Sequence, residues 1–294
     1  MSERARLAAE LERALDLDEV GIASARFDGY RLKTSHQPIF RRDDDVLTPF
    51  GVEARLVAEK PDEVSPGPVE FFDALPAERR SFAEALCRRL HVENVRNMGV
   101  FEPSDFDTYL TIDPRPEAEG GAIAEVASLS RLLNEQGVDP LTVICEIGDA
   151  GGRDSKALIA LADGLRGAGI RVAIAEFRVG QPEIDRVAAV DPDIIKIDGN
   201  WFRSMHDTAE TAKLLPAVVS AFSSLGPARI FVQGIETPAE LEAALRAHAD
   251  YVQGIALAPP SLAGVVFDPN PRSIEALLAP LGKVVPFGRS HQRR

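Results

Sequence analysis

The chain has 294 residues, 45% of them hydrophobic and 27% charged, which rules out a wholly disordered protein and suits one large domain or two small ones. Its 33 basic and 46 acidic side chains leave a net charge of −13, so it is a poor general binder of nucleic-acid backbones or anionic lipid. Any phosphate ligand must be met locally, by a metal ion or a few placed groups.

Residues 3–18 alternate charge with Leu7, Leu11, Ala14 and Leu15, which predicts a short helix with one apolar stripe, capping a domain. From about residue 35, SHQPIFRR and TPFGVEARLVAE read as two strands, joined in a hairpin by the polar turn Asp43-Asp44-Asp45. Pro61, Pro66 and Pro68 mark a loop, and PAERRSFAEALCRRLHVENV a helix. Strands and helices then alternate: DTYLTID, a helix over 121–136, LTVICEIGD, a helix stopped at Gly169, IRVAIAEF, a helix from Pro182 to Val190, and DIIKID. One long helix from Trp201, bent at Pro216, precedes the strand ARIFVQGI. Thr237-Pro238-Ala239-Glu240 places a capping threonine, a first-turn proline and a returning glutamate in the order of a capping box, and YVQGIAL is the last strand.

Eight strands, most separated by helices, predict an α/β fold: a modified TIM-type (βα)8 barrel with an antiparallel opening strand and a short N-terminal helix. The expected organisation is the N-terminal helix over 1–20, the barrel over 21–268, and a C-terminal segment over 269–294 with a basic, frayed tail. Cys87 and Cys145 make no disulfide framework, and no apolar run nears the roughly 20 residues that cross a bilayer. A cytoplasmic protein without membrane or nucleic-acid partners is expected.

In such a barrel, chemistry sits where the strands run out at the C-terminal face. Those ends carry Glu53, Asp113, Glu146, Glu176, Lys196 with Asp198, Gln233 with Glu236, and Gln253. Converging carboxylates repel unless a cation or a proton relieves them, and oxygen donors favour Mg²⁺, Mn²⁺ or Ca²⁺. Any one of these residues reads equally well as a polar group meeting solvent; the set together points to the mouth. The bland reading keeps Lys196 and Asp198 as a buried ion pair, or Glu53 facing Lys196. The five histidines lack zinc-like spacing. An unrelated barrel enzyme with Glu146 and Lys196 as an acid–base pair would explain the charges.

It would not explain the order of the motifs. Gln37-Pro38-Ile39, Gly51-Val52-Glu53-Ala54-Arg55, Cys145-Glu146-Ile147-Gly148-Asp149, Ala175-Glu176-Phe177, Lys196-Ile197-Asp198, Gln233-Gly234-Ile235-Glu236-Thr237 and Gln253-Gly254 followed by Pro260 occur in one series. From about Ser35 to Ser261 this series resembles the EAL domain, the cyclic di-GMP phosphodiesterase fold of bacterial signalling. The resemblance implies that Glu53, Asp113, Glu146 and Glu176 stand at metal-ligand positions. It implies that Lys196 and Gln253 stand near the attacking water, and that Gln37, Pro38, Arg55, Asp198, Gln253 and Pro260 stand at ligand-binding positions. In active members two divalent cations activate water against a phosphodiester, a two-metal clamp.

The departures from the pattern set the functional expectation. Ala175 replaces an acidic ligand and offers no side-chain oxygen; Gln233 replaces a glutamate; Asp113 replaces an asparagine; Asp149 shortens the second acid of its motif. Val57 stands where the family has an arginine that holds the dinucleotide. Arg55 is nearby, but side chains alternate along a strand and its face is open at this point. The resemblance therefore implies a degenerate EAL domain in cyclic di-GMP signalling without efficient hydrolysis, as a protein-interaction module or a cyclic di-GMP receptor. It would carry no cofactor if inactive and Mg or Mn if activity remains. The alternative is a weak Mg- or Mn-dependent phosphodiesterase giving pGpG. Cyclic di-GMP, a protein partner and a second copy in a homodimer are the partners it suggests.

Overall fold

The computed structural model describes residues 3–95, 106–112, 121–148, 155–177, 181–206, 208, 211, 213–223 and 226–279. Helix α1 (Glu3–Ala14) is followed by strands β1 (Leu15–Leu17), β2 (Ala23–Phe27), β3 (Tyr30–Asp43) and β4 (Val46–Glu59). Helices α2 (Pro68–Asp73) and α3 (Ala77–Val95) lead to β5 (Asp107–Ile112), α4 (Gly121–Gln136), β6 (Val143–Ile147), α5 (Ser155–Gly167), β7 (Arg171–Phe177), α6 (Gln181–Val190) and β8 (Ile194–Ile197). Then come α7 (Gly199–His206), α8 (Leu215–Ser223), β9 (Arg229–Val232), α9 (Pro238–Arg246), β10 (Tyr251–Val252), β11 (Ser261–Leu262), β12 (Arg272–Ser273) and α10 (Ile274–Leu278).

Eight strands close into a barrel. Strands β4 to β10 are parallel neighbours in chain order, and β3 closes the ring antiparallel to both β10 and β4. The expected barrel with its antiparallel opening strand is observed. The hairpin turn sits where expected, with Asp44 at φ 51°, a left-handed conformation that Asp tolerates better than most residues. Apolar residues on the outer faces of the parallel strands pack against the helices in the main core.

The structure differs from the sequence expectation in three places. The long helix from Trp201 is interrupted: α7 ends at His206 and α8 begins at Leu215, with Pro216 as the second residue of α8, where its missing N–H costs nothing. The final strand is only Tyr251–Val252, because the chain turns at Gly254 and Ala256 N–H donates to the Ile235 carbonyl instead. The amphipathic stretch at the N-terminus ends as β1, which pairs with β2, a strand the hydrophobic pattern did not announce. Strand β2 pairs with the start of β3, so β1, β2, β3 and β4 make an antiparallel sheet extending past the barrel rim. One face of that sheet (Ala25, Phe27, Leu32, Leu56) is buried under α1, α2 and α3 with Phe71, Leu86 and Leu90. Residues 280–294, which include the basic C-terminal tail, lie outside the described residues.

Candidate functional site

Alternation along a strand decides which residues enter the barrel. An apolar layer of Ile39, Phe50, Tyr109, Ile144, Ala173, Ile194 and Phe231, with Tyr251 against it, fills the interior toward the strands' N-terminal ends. Two residues toward the mouth, about 7 Å on, the same phase is Gln37, Thr111, Glu146, Lys196, Gln233 and Gln253, and on β4, where Phe50 sits in a bulge, it is Glu53, two on from Gly51. Strand β7 bulges here, so Ala175 and Glu176 together stand opposite Lys196. Hydrophobic packing below thus sets the phase of a polar layer above.

Lys196 lies at the centre of that layer and is 1% exposed. Its Nζ is 2.6 Å from Glu146 Oε1 and 3.2 Å from Glu53 Oε1, and sits 5.0 Å from the centroid of the Phe231 ring. Glu53 and Glu146 are buried as well. Arg55 shares the phase of Glu53 on β4, and its Nε lies 3.4 Å from Glu53 Oε1. Arg55 also donates to Gln37 Oε1 at 3.4 Å; Gln37 Nε2 donates to the Ala258 carbonyl at 3.2 Å, and Gln253 Nε2 to the Gln37 carbonyl at 3.3 Å. Two carboxylates and two cations make this group formally neutral.

Burial alone would raise the Glu53 pKa, but Lys196 and then Arg55 more than offset it and hold the carboxyl below its ordinary value. Glu146 is raised, by burial first, with Lys196 opposing and the Glu53 charge adding. Burial disfavours the Lys196 ammonium, yet Glu146 and Glu53 keep its pKa above the ordinary lysine value. Lys196 is therefore a fixed cation at neutral pH and a charged donor, unsuited to taking a proton.

Of the residues singled out in the sequence, the structure brings together Gln37, Glu53, Arg55, Glu146, Lys196 and Gln253. Pro38 belongs to the opposite face of β3, across from Val52. Asp198 follows the end of β8 and makes no pair with Lys196; its Oδ1 accepts the Trp201 N–H at 2.7 Å at the start of α7. Glu236 Oε1 meets Arg203 Nη1 at 2.9 Å. Pro260 is on an exposed loop. Asp113 and Asp149 lie outside the described residues, as does the side chain of Glu176. Thr111, not singled out in the sequence, is the Cα partner of Glu146 across β5 and β6; counting the two-residue phase from Tyr109 would have found it.

Among the described residues, no group of three or more His, Cys, Asp and Glu side chains is placed to hold a metal ion. Glu53 Oε2 is buried without a hydrogen-bond partner among them, one oxygen still able to meet a cation or a donor. These donors suit one cation at Glu53 and Glu146. Ala175 contributes no side-chain oxygen, and of the metal-ligand positions named in the sequence only Glu53 and Glu146 have described side chains.

The EAL domain family model matches residues 22–260. The chain belongs to the EAL domain family. Among solved structures, the PaMucR phosphodiesterase in complex with c-di-GMP is 21% identical, with a TM-score of 0.64 over 87% of this chain and 97% of that one. The EAL domain of FimX from Pseudomonas aeruginosa, bound to c-di-GMP, is 18% identical, with a TM-score of 0.64 over 88% and 97%. The Bacillus subtilis YkuI protein, in complex with c-di-GMP and calcium, is 18% identical, with a TM-score of 0.66 over 92% of this chain and 60% of that one. At such identities the likeness is one of fold. No curated protein matches the chain. Among the described residues, no helix of this EAL domain is long and apolar enough to cross a membrane.

Proposed function

We propose that this EAL domain acts in cyclic di-GMP signalling as a receptor that does not hydrolyse its ligand efficiently. The observation that carries the reading is the charge balance of the mouth: Lys196 and Arg55 already match the buried Glu53 and Glu146. Ala175, one of the two residues opposite Lys196, offers no side-chain oxygen there. A two-metal mechanism needs both the attacking and the leaving oxygen neutralised by cations. The described carboxylates, Glu53 and Glu146, are already neutralised by Lys196 and Arg55, which disfavours seating two cations and so disfavours efficient hydrolysis.

Arg55 favours a receptor over a module working through protein contacts alone. Because residues 53 and 55 share one face of β4, its guanidinium reaches the rim, 45% exposed, where a phosphate would arrive. The buried amides of Gln37 and Gln253 line the same mouth. A protein partner and a homodimer remain part of the proposal as the route by which a bound ligand is read out.

The test is direct. Purified protein is incubated with cyclic di-GMP and Mn²⁺, and the products are separated by chromatography. The expected result is binding by calorimetry with no pGpG. Linear pGpG that appears with the wild-type protein and vanishes in Glu53→Ala would replace this reading with that of a weak phosphodiesterase.

A further inference from the structure

The mouth-facing side of the β1–β4 sheet carries cations beyond Arg55, the one at the rim that the mouth itself uses. Residues 31, 33, 35, 37 and 39 of β3 share one face; Ile39 lies in the barrel interior and Gln37 in the polar layer, so Ser35, Lys33 and Arg31 continue that face above the rim. The opposite face is closed by the helices over Leu32 and Leu56. Cross-strand pairing sets Arg55 level with Ser35, Lys33 level with Val57 and Arg31 level with Glu59. The cations therefore climb the wall in steps of about 7 Å.

In a chain of net charge −13, this face carries four cations, Arg55, Lys33, Arg31 and its cross-strand partner Arg26, of which Arg55, Lys33 and Arg26 meet Glu53, Glu59 and Asp16. Lys33 is held by Glu59 at 2.6 Å and is 30% exposed. Arg31 donates to Ser24 Oγ at 3.3 Å and makes no ion pair among the described residues. Val57 puts no charge opposite Lys33, at the position where the resemblance implies an arginine.

We propose that Lys33 and Arg31, next above Arg55, bind a phosphodiester group of a cyclic dinucleotide whose other end lies in the mouth. The positive charge missing at position 57 is thereby supplied from the neighbouring strand. The lysine lies directly across from that position, at the short Cβ separation of cross-strand partners. Glu59 acts as a gate on this contact, because Lys33 must exchange it for the phosphate. This inference rests on the receptor reading.

The test is calorimetric titration of the full chain with cyclic di-GMP in EDTA, at low and high salt. Wild type is compared with Lys33→Gln, Arg31→Gln, the double variant and Glu59→Gln. The side chains are exposed or half-exposed, so folding is checked by thermal melting and expected to be intact. The double variant should bind about tenfold more weakly or worse, as expected for lost charge-assisted contacts, and with a flatter salt dependence. Glu59→Gln should bind several-fold more tightly. Wild-type binding that is unchanged in the double variant would overturn the strip alone. Absence of binding by the wild type would overturn the receptor reading and the strip with it.

Discussion

Replacing Lys196 with methionine removes the one buried cation between two buried carboxylates. The lysine stem volume is kept, so the loss is electrostatic rather than a cavity. Lys196 is 1% exposed, Glu146 3% and Glu53 7%, so water cannot compensate. Arg55, at the rim and 3.4 Å from Glu53, is too remote from Glu146 in its described contacts to replace the ammonium. Removing one partner of a buried pair costs about 3–5 kcal/mol, which for a chain of this size lowers Tm by roughly 10 °C. The cost should depend on pH. Without Lys196, burial and mutual repulsion raise the folded-state pKa of the carboxyl pair above the unfolded value. The folded variant then binds more protons than the unfolded chain, and its stability rises as pH falls. Urea unfolding of wild type and Lys196→Met at pH 7.5 and pH 5.5 measures this; the stability gap should narrow at the lower pH. Adding Glu146→Gln should restore most of the loss. A gap below about 1 kcal/mol at pH 7.5, the range of an exposed pair, and flat with pH, would refute the argument that this triad is a desolvated charge cluster.

Four further outcomes are expected. His36 and His91 are buried, and desolvation lowers their pKa values to about 4 and about 3. Both lie below the unfolded value, so the unfolded chain binds more protons, and the stability present above pH 6.5 is lost as pH falls toward 4. The single His36→Gln variant should show a shallower loss, His36 itself accounting for about 3 kcal/mol of it. At Gly254 a Cβ would overlap the backbone of Ile235, so Gly254→Ala should sharply reduce soluble yield and Tm. Thr237 Oγ1 accepts the Glu240 N–H at 3.2 Å while Glu240 returns to the Thr237 N–H at 3.2 Å; Thr237→Ala should cost about 1 kcal/mol in urea unfolding. Burial pushes the Cys87 thiol up to about 12, and Cys145 is raised too, so neither should react with iodoacetamide until the protein unfolds.

Much of the fold was legible because local chemistry and tertiary structure agree. The turn at Asp43-Asp44-Asp45, the capping box at Thr237 and the stop at Gly169, with φ 78°, follow from short-range rules and stand where those rules put them. The helix split before Pro216 was not legible, since a run of good helix formers reads the same whether or not packing interrupts it. Strand β1 follows a helical stripe directly, and only its pairing with β2 makes it a strand.

By itself the sequence determined the alternation of elements, the residues of the motif series and the absence of an acid at position 175. Only the tertiary structure decided that Lys196 pairs with Glu53 and Glu146 rather than with Asp198, that Arg55 faces the mouth, and that Lys33 stands across from Val57. The physical reason is that side-chain phase is a property of one strand, readable every second residue, whereas register belongs to two strands. Register is set by closing the barrel around its apolar layer, and no single segment carries it.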